Sequence, residues 1–476
     1  MDVFGKRIHL IGVGGAGLSA IARVLMQQGA QVSGSDLVLS PVAEALARDG
    51  ARVFVGHQAE NVAGADVVVV SSAVRASNVE VLAARAAGIP VLKRPEFLGQ
   101  MMDGRLGVAV AGSHGKTTTT AMVASILLEA GCDPTFIVGG VMAGLGTNAR
   151  AGQGPHFVIE ADEYDHTFLS LKPGVAVVLN VEHDHPDCYP TFADFRAAFE
   201  AFVALAPREG LLAVGWDDPV ARELGERRRT EGAAVAFFGL GEGAEWRAEE
   251  VRPNSLGGVG FLATRSGRVL GLVQLRVPGA YNASNAMAAL AVAGFLGLPF
   301  HVAADALAGF RGVGRRFEVK GEAGGVTVID DYAHHPTQIR TTLLAARQHL
   351  PDRSLWAVWQ PHTYSRTKAL LADFARAFEA ADHVIVLPIY AARETDALGV
   401  SSADVVAAMH HPDVRCAGSL DEAVVWLGTE VRSSDVVLTL GAGDEYKVGE
   451  WVLEVLGAGC RRQDAGCRMQ GAEGRR

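Results

Sequence analysis

The apolar run Leu106–Ala111 leads straight into Gly112-Ser113-His114-Gly115-Lys116-Thr117-Thr118-Thr119-Thr120, and helical spacing follows over Thr117–Ala130. No other feature of the 476-residue chain constrains its fold as tightly. A strand that enters a glycine-rich turn and leaves through a helix belongs in an α/β unit built on a parallel sheet. The turn's backbone N–H groups and the helix N-terminus then point together toward an anion. Gly112, Ser113, His114, Gly115, Lys116, Thr117 and Thr118 are thus the expected phosphate-binding residues of a nucleotide such as ATP. Lys116 would meet the β- and γ-phosphates, and the Thr117 hydroxyl would ligate Mg²⁺. The spacing is the shorter G-x-x-G-K-T, since Val110 stands where the longer motif has glycine. The plain alternative is a tight structural turn beside a surface lysine.

Similar alternation fills the rest of the chain. Ile8–Val13 reads as a strand and Leu18–Gln28 as a helix. Gln31–Ser35, Val53–Gly56, Val67–Ser71 and Ile89–Leu92 are short apolar strands. Beyond the phosphate turn come strands Phe157–Glu160 and Val175–Asn180. A Gly-rich, charged stretch over Gly225–Arg268 reads as short antiparallel strands, and Ala283–Leu296 as a helix. Gly309–Arg315 resembles a hinge. A last unit alternates strand Val326–Asp330, helix Thr337–His349, strand Leu355–Trp359, helix Thr367–Ala380 and strands His383–Leu387 and Val436–Leu440. The expectation is an α/β protein of three domains. A Rossmann-like domain spans 1–103, a central P-loop ATPase α/β domain 104–313, and a second Rossmann-like domain 314–457. Residues 458–476, without periodicity, are expected to form a disordered tail.

Composition narrows the function. Lys plus Arg number 43 against 53 Asp plus Glu, a net charge of −10, which disfavours a nucleic-acid partner. No apolar run approaches the ~18 residues of a membrane span, and the N-terminal residues show no signal-peptide pattern. The five Cys are scattered, without a CxxC pair. A reduced, cytoplasmic location is expected, with no membrane insertion; nothing in the sequence sets an oligomeric state.

Further motifs sit at strand ends. Gly12-Val13-Gly14-Gly15-Ala16-Gly17, with Asp36 beyond the next helix, fits a dinucleotide fingerprint. Its glycines only let a diphosphate approach the backbone, so a UDP-sugar suits it as well as NAD. Glu160-Ala161-Asp162-Glu163-Tyr164-Asp165-His166 packs four carboxylates after a strand. Like charges raise one another's pKa, and a divalent cation would relieve them; a solvated acidic loop is the alternative. Asn180-Val181-Glu182-His183-Asp184-His185-Pro186-Asp187 adds imidazoles that suit a metal shared with that cluster or, less well, a separate zinc site. Asn282 and Asn285 share one helix face and either read adenine or cap the helix. Arg315-Arg316 offers a γ-phosphate clamp or a surface salt bridge. Asp330-Asp331-Tyr332-Ala333-His334-His335-Pro336 and Gln360-Pro361-His362-Thr363-Tyr364-Ser365-Arg366-Thr367 end two strands of the last unit and suggest a pocket for a small zwitterion.

In this order the motifs resemble those of the Mur ligase family, over roughly Arg7 to Leu456. The D-D-Y-A-H-H-P-T and Q-P-H segments resemble its alanine-adding branch. The resemblance implies ATP-dependent amide formation in peptidoglycan precursor synthesis, with UDP-N-acetylmuramate and L-alanine as substrates and ATP and Mg²⁺ as cofactors. It implies that Gly14, Gly15, Gly17 and Asp36 meet the UDP-sugar. Thr117, Glu160 and His185 would hold metal. Asn282, Asn285 and Asp331 would meet the adenosine, and Arg316 the γ-phosphate. His334, His362 and Arg366 would receive alanine. Lys116, Glu160, His185, Arg316 and His334 are the expected catalytic set. Two positions depart from the pattern: Thr363 replaces an Arg of some members, and Tyr281 a His. Several members carry a carbamoylated Lys, yet this chain has no Lys between Lys172 and Lys320, and Phe199 stands at the counterpart. The rival readings are a ligase for a preformed peptide, a folylpolyglutamate-type ligase, an NAD-dependent oxidoreductase and a noncatalytic nucleotide-binding module.

Overall fold

The structure, a computed structural model, describes residues 3–458. Three sheets follow one another along the chain. In the first, five parallel strands take the spatial order Arg52–Val55, Gln31–Asp36, Arg7–Ile11, Val67–Val70, Val91–Lys93. The chain reverses direction across the sheet beside Arg7–Ile11, so a crevice opens past the carboxyl ends of that strand and Val67–Val70. Strands covered on both faces can be apolar throughout, as Val67–Val70 is.

The central sheet has ten strands. The phosphate-turn strand Leu106–Ala111 lies in its middle, between Pro173–Val178 and His156–Glu160, parallel to both. Helices Lys116–Glu129 and Ala280–Phe295 pack together over one face. Their buried residues join the strands' Val108, Val110 and Val177 in one core. Helix Lys116–Glu129 is buried almost all round, so tertiary packing rather than amphipathicity holds it. Antiparallel strands Trp246–Pro253, Val259–Arg265 and Arg268–Gln274 close one edge.

The stretch 225–268 differs from expectation at its start. Helix Pro219–Thr230, capped by Asp218, runs through Gly225, and Val235–Gly239 then adds a parallel strand before the antiparallel ones. Gly225 sits mid-helix because a Cβ there would stand 2.6 Å from the Phe237 ring. Packing offsets its low helix propensity.

In the third sheet, Glu318–Ala323 is an antiparallel edge and the other five strands are parallel. The last strand, Val436–Leu440, inserts between Val326–Asp331 and Leu355–Trp359. The third unit thus shares the layering of the first but not its strand order. The helix expected over Thr367–Ala380 is instead two short ones, Tyr364–Ala369 and Leu371–Phe374. They break at Leu370, whose φ and ψ are −108° and 18°. Arg366 and Thr367 are thereby buried. A final helix covers 446–458; of the expected tail, 459–476 lies outside the described residues. No helix among the described residues is long and apolar enough to cross a membrane.

One polar cluster is buried under the first sheet's crevice. Glu80 is fully buried and accepts hydrogen bonds from Ser35 Oγ (2.5 Å), Asn61 Nδ2 (2.5 Å) and the Gln58 amide (3.3 Å). His9 Nε2 and His57 Nδ1 stand 3.6 and 3.3 Å from its Oε2. Burial pushes the carboxyl up, but His9, Ser35 and Asn61 outweigh it and bring it down to about 2. Its folded pKa is depressed, so this stabilisation is present above the ordinary value of 4.5 and is lost as pH falls toward 2. Glu80→Gln should lower stability at pH 7 by about 3 kcal/mol. In denaturant titrations the gap between wild type and variant should narrow steadily from pH 5 to pH 3; a gap independent of pH would show that the charge contributes nothing.

Candidate active site

The phosphate turn is built by two backbone conformations and a seam of hydrogen bonds. Gly112 and Gly115 have φ of 140° and 86°, where a side chain is strained. A Cβ on Gly115 would meet Asn285 Oδ1 at 2.6 Å, so glycine also admits the helix that carries Asn285. The Ser113 hydroxyl donates to the Glu182 carbonyl and accepts from the Glu182 amide, at 2.7 and 2.8 Å. The His114 amide donates to Asn180 Oδ1 at 2.8 Å. The turn is thus tied to the segment after strand Pro173–Val178, which brings the imidazole motif beside it, while the acidic motif follows the neighbouring strand His156–Glu160.

Two cavities meet at this turn. The first, of about 890 Å³, is lined by Thr118, Asn282, Asn285, Tyr281 and Asp331 among others. The second, of about 830 Å³, is lined by Lys116, Glu160, Glu163, Asp184, His185, His334, His362 and Arg366 among others. Gly115, Thr117, Arg316 and Gln338 line both. A nucleotide in the first would therefore extend its terminal phosphate toward the second.

Most of the expected residues come together here, in distinct pairs. Asn285 Nδ2 donates to Asn282 Oδ1 at 3.1 Å, and Asn282 Nδ2 to the Pro278 carbonyl at 2.7 Å. Asp331 accepts from the Phe317 and Ala333 amides at 2.7 and 2.8 Å, yet burial keeps its carboxyl up at about 6. The two hinge arginines diverge. Arg315 pairs with Asp330 at 2.9 Å and with Glu445, so it is structural. Arg316 reaches Thr117 Oγ1 at 3.3 Å and faces both cavities.

Lys116 Nζ donates to the Gly112 carbonyl at 2.6 Å and to Glu163 at 2.9 Å. Burial opposes its charge, but Glu163 and Glu160 raise it above the ordinary lysine value. Thr117 Oγ1 lies 3.1 and 3.0 Å from the two Glu160 oxygens. Burial pushes Glu160 up despite Lys116 and Arg316. A half-buried carboxylate beside a hydroxyl offers the hard oxygen donors that Mg²⁺ takes. His185 lies apart from that pair: its Nε2 is 3.4 Å from Glu163 Oε1. Burial lowers its proton affinity, but Asp184 and Glu163 outweigh this and raise it, so protons compete with a metal here more strongly than at a free imidazole. His183 is turned away onto the Tyr189 carbonyl at 2.9 Å, so the two imidazoles do not form a pair. Phe199 is fully buried against the Phe168 and Phe195 rings.

The third domain contributes the far wall. Arg366, 4% exposed, donates through Nε to Asp184 Oδ1 at 2.9 Å, and its Nη2 stands 2.7 Å from the same oxygen. Its Nη1 is 3.1 Å from His362 Nδ1. His334 Nδ1 lies 2.9 Å from the Tyr332 carbonyl, which only accepts, so Nδ1 carries the proton and Nε2 keeps its lone pair. Burial and Arg366 push His334 well below the usual imidazole range, and the same two causes bring His362 down to about 4. Both rings are neutral at pH 7.

At the first sheet's crevice, a cavity of about 960 Å³ is lined by Gly12, Gly15, Asp36, His57 and Ser71 among others. Asp36 Oδ2 accepts from the Gly14 amide at 2.9 Å, which turns that carboxylate onto the glycine turn. Gly14 and Gly17 do not line the cavity. A Cβ on Gly14 would strike Asp36, and one on Gly17 would strike Arg94. Arg94 in turn reaches Asp162 at 3.3 Å, in the acidic turn of the second domain.

Several residues here escaped the sequence reading. Glu163 carries the Lys116 partnership, though only a crowd of carboxylates marked it. Asp184, between two histidines, holds the third domain's arginine. Gln338 Nε2 donates to His114 Nδ1 at 2.9 Å, and Thr337 Oγ1 donates to Glu182 at 2.7 Å, so a helix start closes on the phosphate turn. No local pattern distinguishes such residues.

Family models match most of the chain. Residues 7–106 match the Mur ligase family catalytic domain, 110–293 the Mur ligase middle domain, and 315–443 the Mur ligase glutamate ligase domain. The UDP-N-acetylmuramate–L-alanine ligase of Desulfosudis oleivorans is 44% identical over 449 residues, covering 94% of this chain and 97% of that protein. The crystal structure of the UDP-N-acetylmuramate–alanine ligase of Thermotoga maritima superposes with a TM-score of 0.79 at 28% identity, over 96% of this chain and 99% of that one. A murein peptide ligase from Psychrobacter arcticus gives 0.71 at 26% identity, over 95% and 99%.

The Asp184–Arg366 pair yields a direct test. Asp184→Asn leaves a buried guanidinium without its carboxylate and should cost ~3–5 kcal/mol. Asp184→Asn combined with Arg366→Met should recover most of that loss. Thermal unfolding of the variants measures both; a double variant no more stable than Asp184→Asn alone would contradict this account.

Proposed function

Since the chain belongs to the Mur ligase family, we propose that it joins L-alanine to UDP-N-acetylmuramate, driven by the conversion of ATP to ADP and phosphate, in peptidoglycan precursor synthesis. The observation that carries this reading is the shared wall of the two cavities at Gly115, Thr117 and Arg316. A nucleotide site and an acceptor site that touch at a cation and a phosphate turn suit phosphoryl transfer.

The free carboxylate of the sugar nucleotide is a poor acylating agent. Its oxygen attacks the γ-phosphorus of ATP, the bond to ADP breaks, and an acyl phosphate forms. The neutral amine of alanine then attacks the acyl carbon, and phosphate leaves with the bonding pair and carries away the proton that the amine gives up. Lys116 and Arg316 face the transferring phosphoryl, where charge develops. Lys116 would leave Glu163 for the phosphate, and the neighbouring His185 would keep Glu163 compensated. Thr117 and Glu160 would hold Mg²⁺, which spreads the charge on the phosphate oxygens. His334 presents a neutral Nε2 to the second cavity and orients the amine by accepting its N–H. Its low proton affinity makes it a positioning acceptor rather than a strong base; Asp184, 4.0 Å away, would steady any proton it takes. The UDP moiety would lie in the first domain's crevice at Gly15 and Asp36.

A ligase for a preformed peptide is the second reading, favoured by the likeness to the murein peptide ligase. Release of ADP with UDP-N-acetylmuramate and a panel of amino acids and peptides separates the two. Alanine should support turnover, whereas turnover with a tripeptide alone would reverse the assignment. Lys116→Ala should lower kcat at least ~10³-fold; retention of a tenth of wild-type turnover would remove the lysine from the mechanism. With Phe199 at the counterpart of the carbamoylated lysine, activity in bicarbonate-free buffer should be unchanged when bicarbonate is restored. A several-fold rise would reveal a carbamate elsewhere.

A further inference from the structure

Arg366 was the expected grip on the amino acid's carboxylate, but two of its nitrogens are engaged by Asp184 and the third faces His362. A guanidinium already neutralised by a buried carboxylate has little left for a second one. Thr363, its neighbour, carries no charge; its hydroxyl accepts from the Arg366 amide and caps the short helix. A zwitterionic substrate still needs a cation at this end of the cavity.

We propose that Arg393 binds the α-carboxylate of the amino-acid substrate. This rests on the ligase reading above. Arg393 lines the second cavity, together with Thr363, Arg366 and Asp187. Its guanidinium lies 4.3 Å from the centroid of the Tyr164 ring, an apolar seat that orients the fork without neutralising it. Among the described residues it has no carboxylate within ion-pair distance. Arg316 is the other such arginine of this cavity, and it stands at the opposite, nucleotide end. The cavity thus has one uncompensated arginine where a phosphoryl group is expected and one where a carboxylate is expected.

The loop that carries Arg393 is built onto the Pro361–Arg366 segment. The Tyr390 amide donates to the Pro361 carbonyl and the Thr363 amide to the Tyr390 carbonyl, both at 2.8 Å. Glu394 accepts from the Tyr364 and Ser365 amides at 2.5 and 3.1 Å and from the Ser365 hydroxyl. Ala392 has a φ of 51°, a turn that sets the next residue's direction. Arg393 itself is exposed at the cavity mouth, so replacing it leaves the core untouched. A forked, planar donor there can take both carboxylate oxygens, while the amine points inward to His334.

The test is steady-state ADP release by the full chain with UDP-N-acetylmuramate, ATP and either L-alanine or L-alaninamide, which keeps the amine and lacks the carboxylate. Arg393→Ala should raise KM for alanine at least ~10-fold while KM for ATP and for the sugar nucleotide stays within about 2-fold. The preference for alanine over its amide should fall by the same factor, and Arg393→Lys should recover only part of it. An unchanged KM for alanine overturns the assignment, and so does an equal rise for alanine and alaninamide. Should wild type use another amino acid, that amino acid and its amide replace the pair. ADP release with no amino acid at all would refute the ligase reading itself, and this assignment with it.

Discussion

Asp184 and Arg366 come from different domains and meet almost out of water. Two desolvated charges gain little as a pair, but either one alone is costly. The central and third domains are therefore held to a single docking geometry: a shift that separated the guanidinium from its carboxylate would strand both. Around this pair the remaining site groups fall into place. Burial and Arg366 together keep His362 and His334 neutral, and Asp184 raises the proton affinity of His185 against its burial. Burial and this one ion pair together thus shift the proton affinity of three imidazoles.

The phosphate turn shows the same dependence on parts distant in sequence. Its glycines supply the conformations, but its position comes from Asn180 and Glu182 on one side and Asn285 on the other. Gln338 and Thr337 then add the third domain through His114 and Glu182. Both cavities consequently share walls drawn from two domains, and neither is complete without the third sheet's helix starts.

Much of this was legible in the sequence, for physical reasons. Strand–turn–helix patterns with glycine and a following lysine or aspartate are local, so the phosphate turn and the first glycine turn could be located without tertiary information. Asn282 and Asn285, three apart on one helix, could be placed on a common face. What stayed hidden was pairing across domains. Arg366 looked like a free cation because its partner is distant in sequence, and Glu163 could not be told from its acidic neighbours. Gly14 and Gly17 fit a fingerprint, yet Asp36 and Arg94 occupy the space beside them. The helix through Gly225 was missed because only the Phe237 ring, nearby in space, explains that glycine.

Arg94 lays its guanidinium against Gly17 and touches Asp162 with the same group, so the first glycine turn and the acidic turn are joined through one guanidinium. A long substrate with its diphosphate at the first turn and its carboxylate at the second cavity would pass beside this contact. Since one guanidinium serves both turns at once, the first and second domains are kept in register at the point where such a substrate would cross from one to the other.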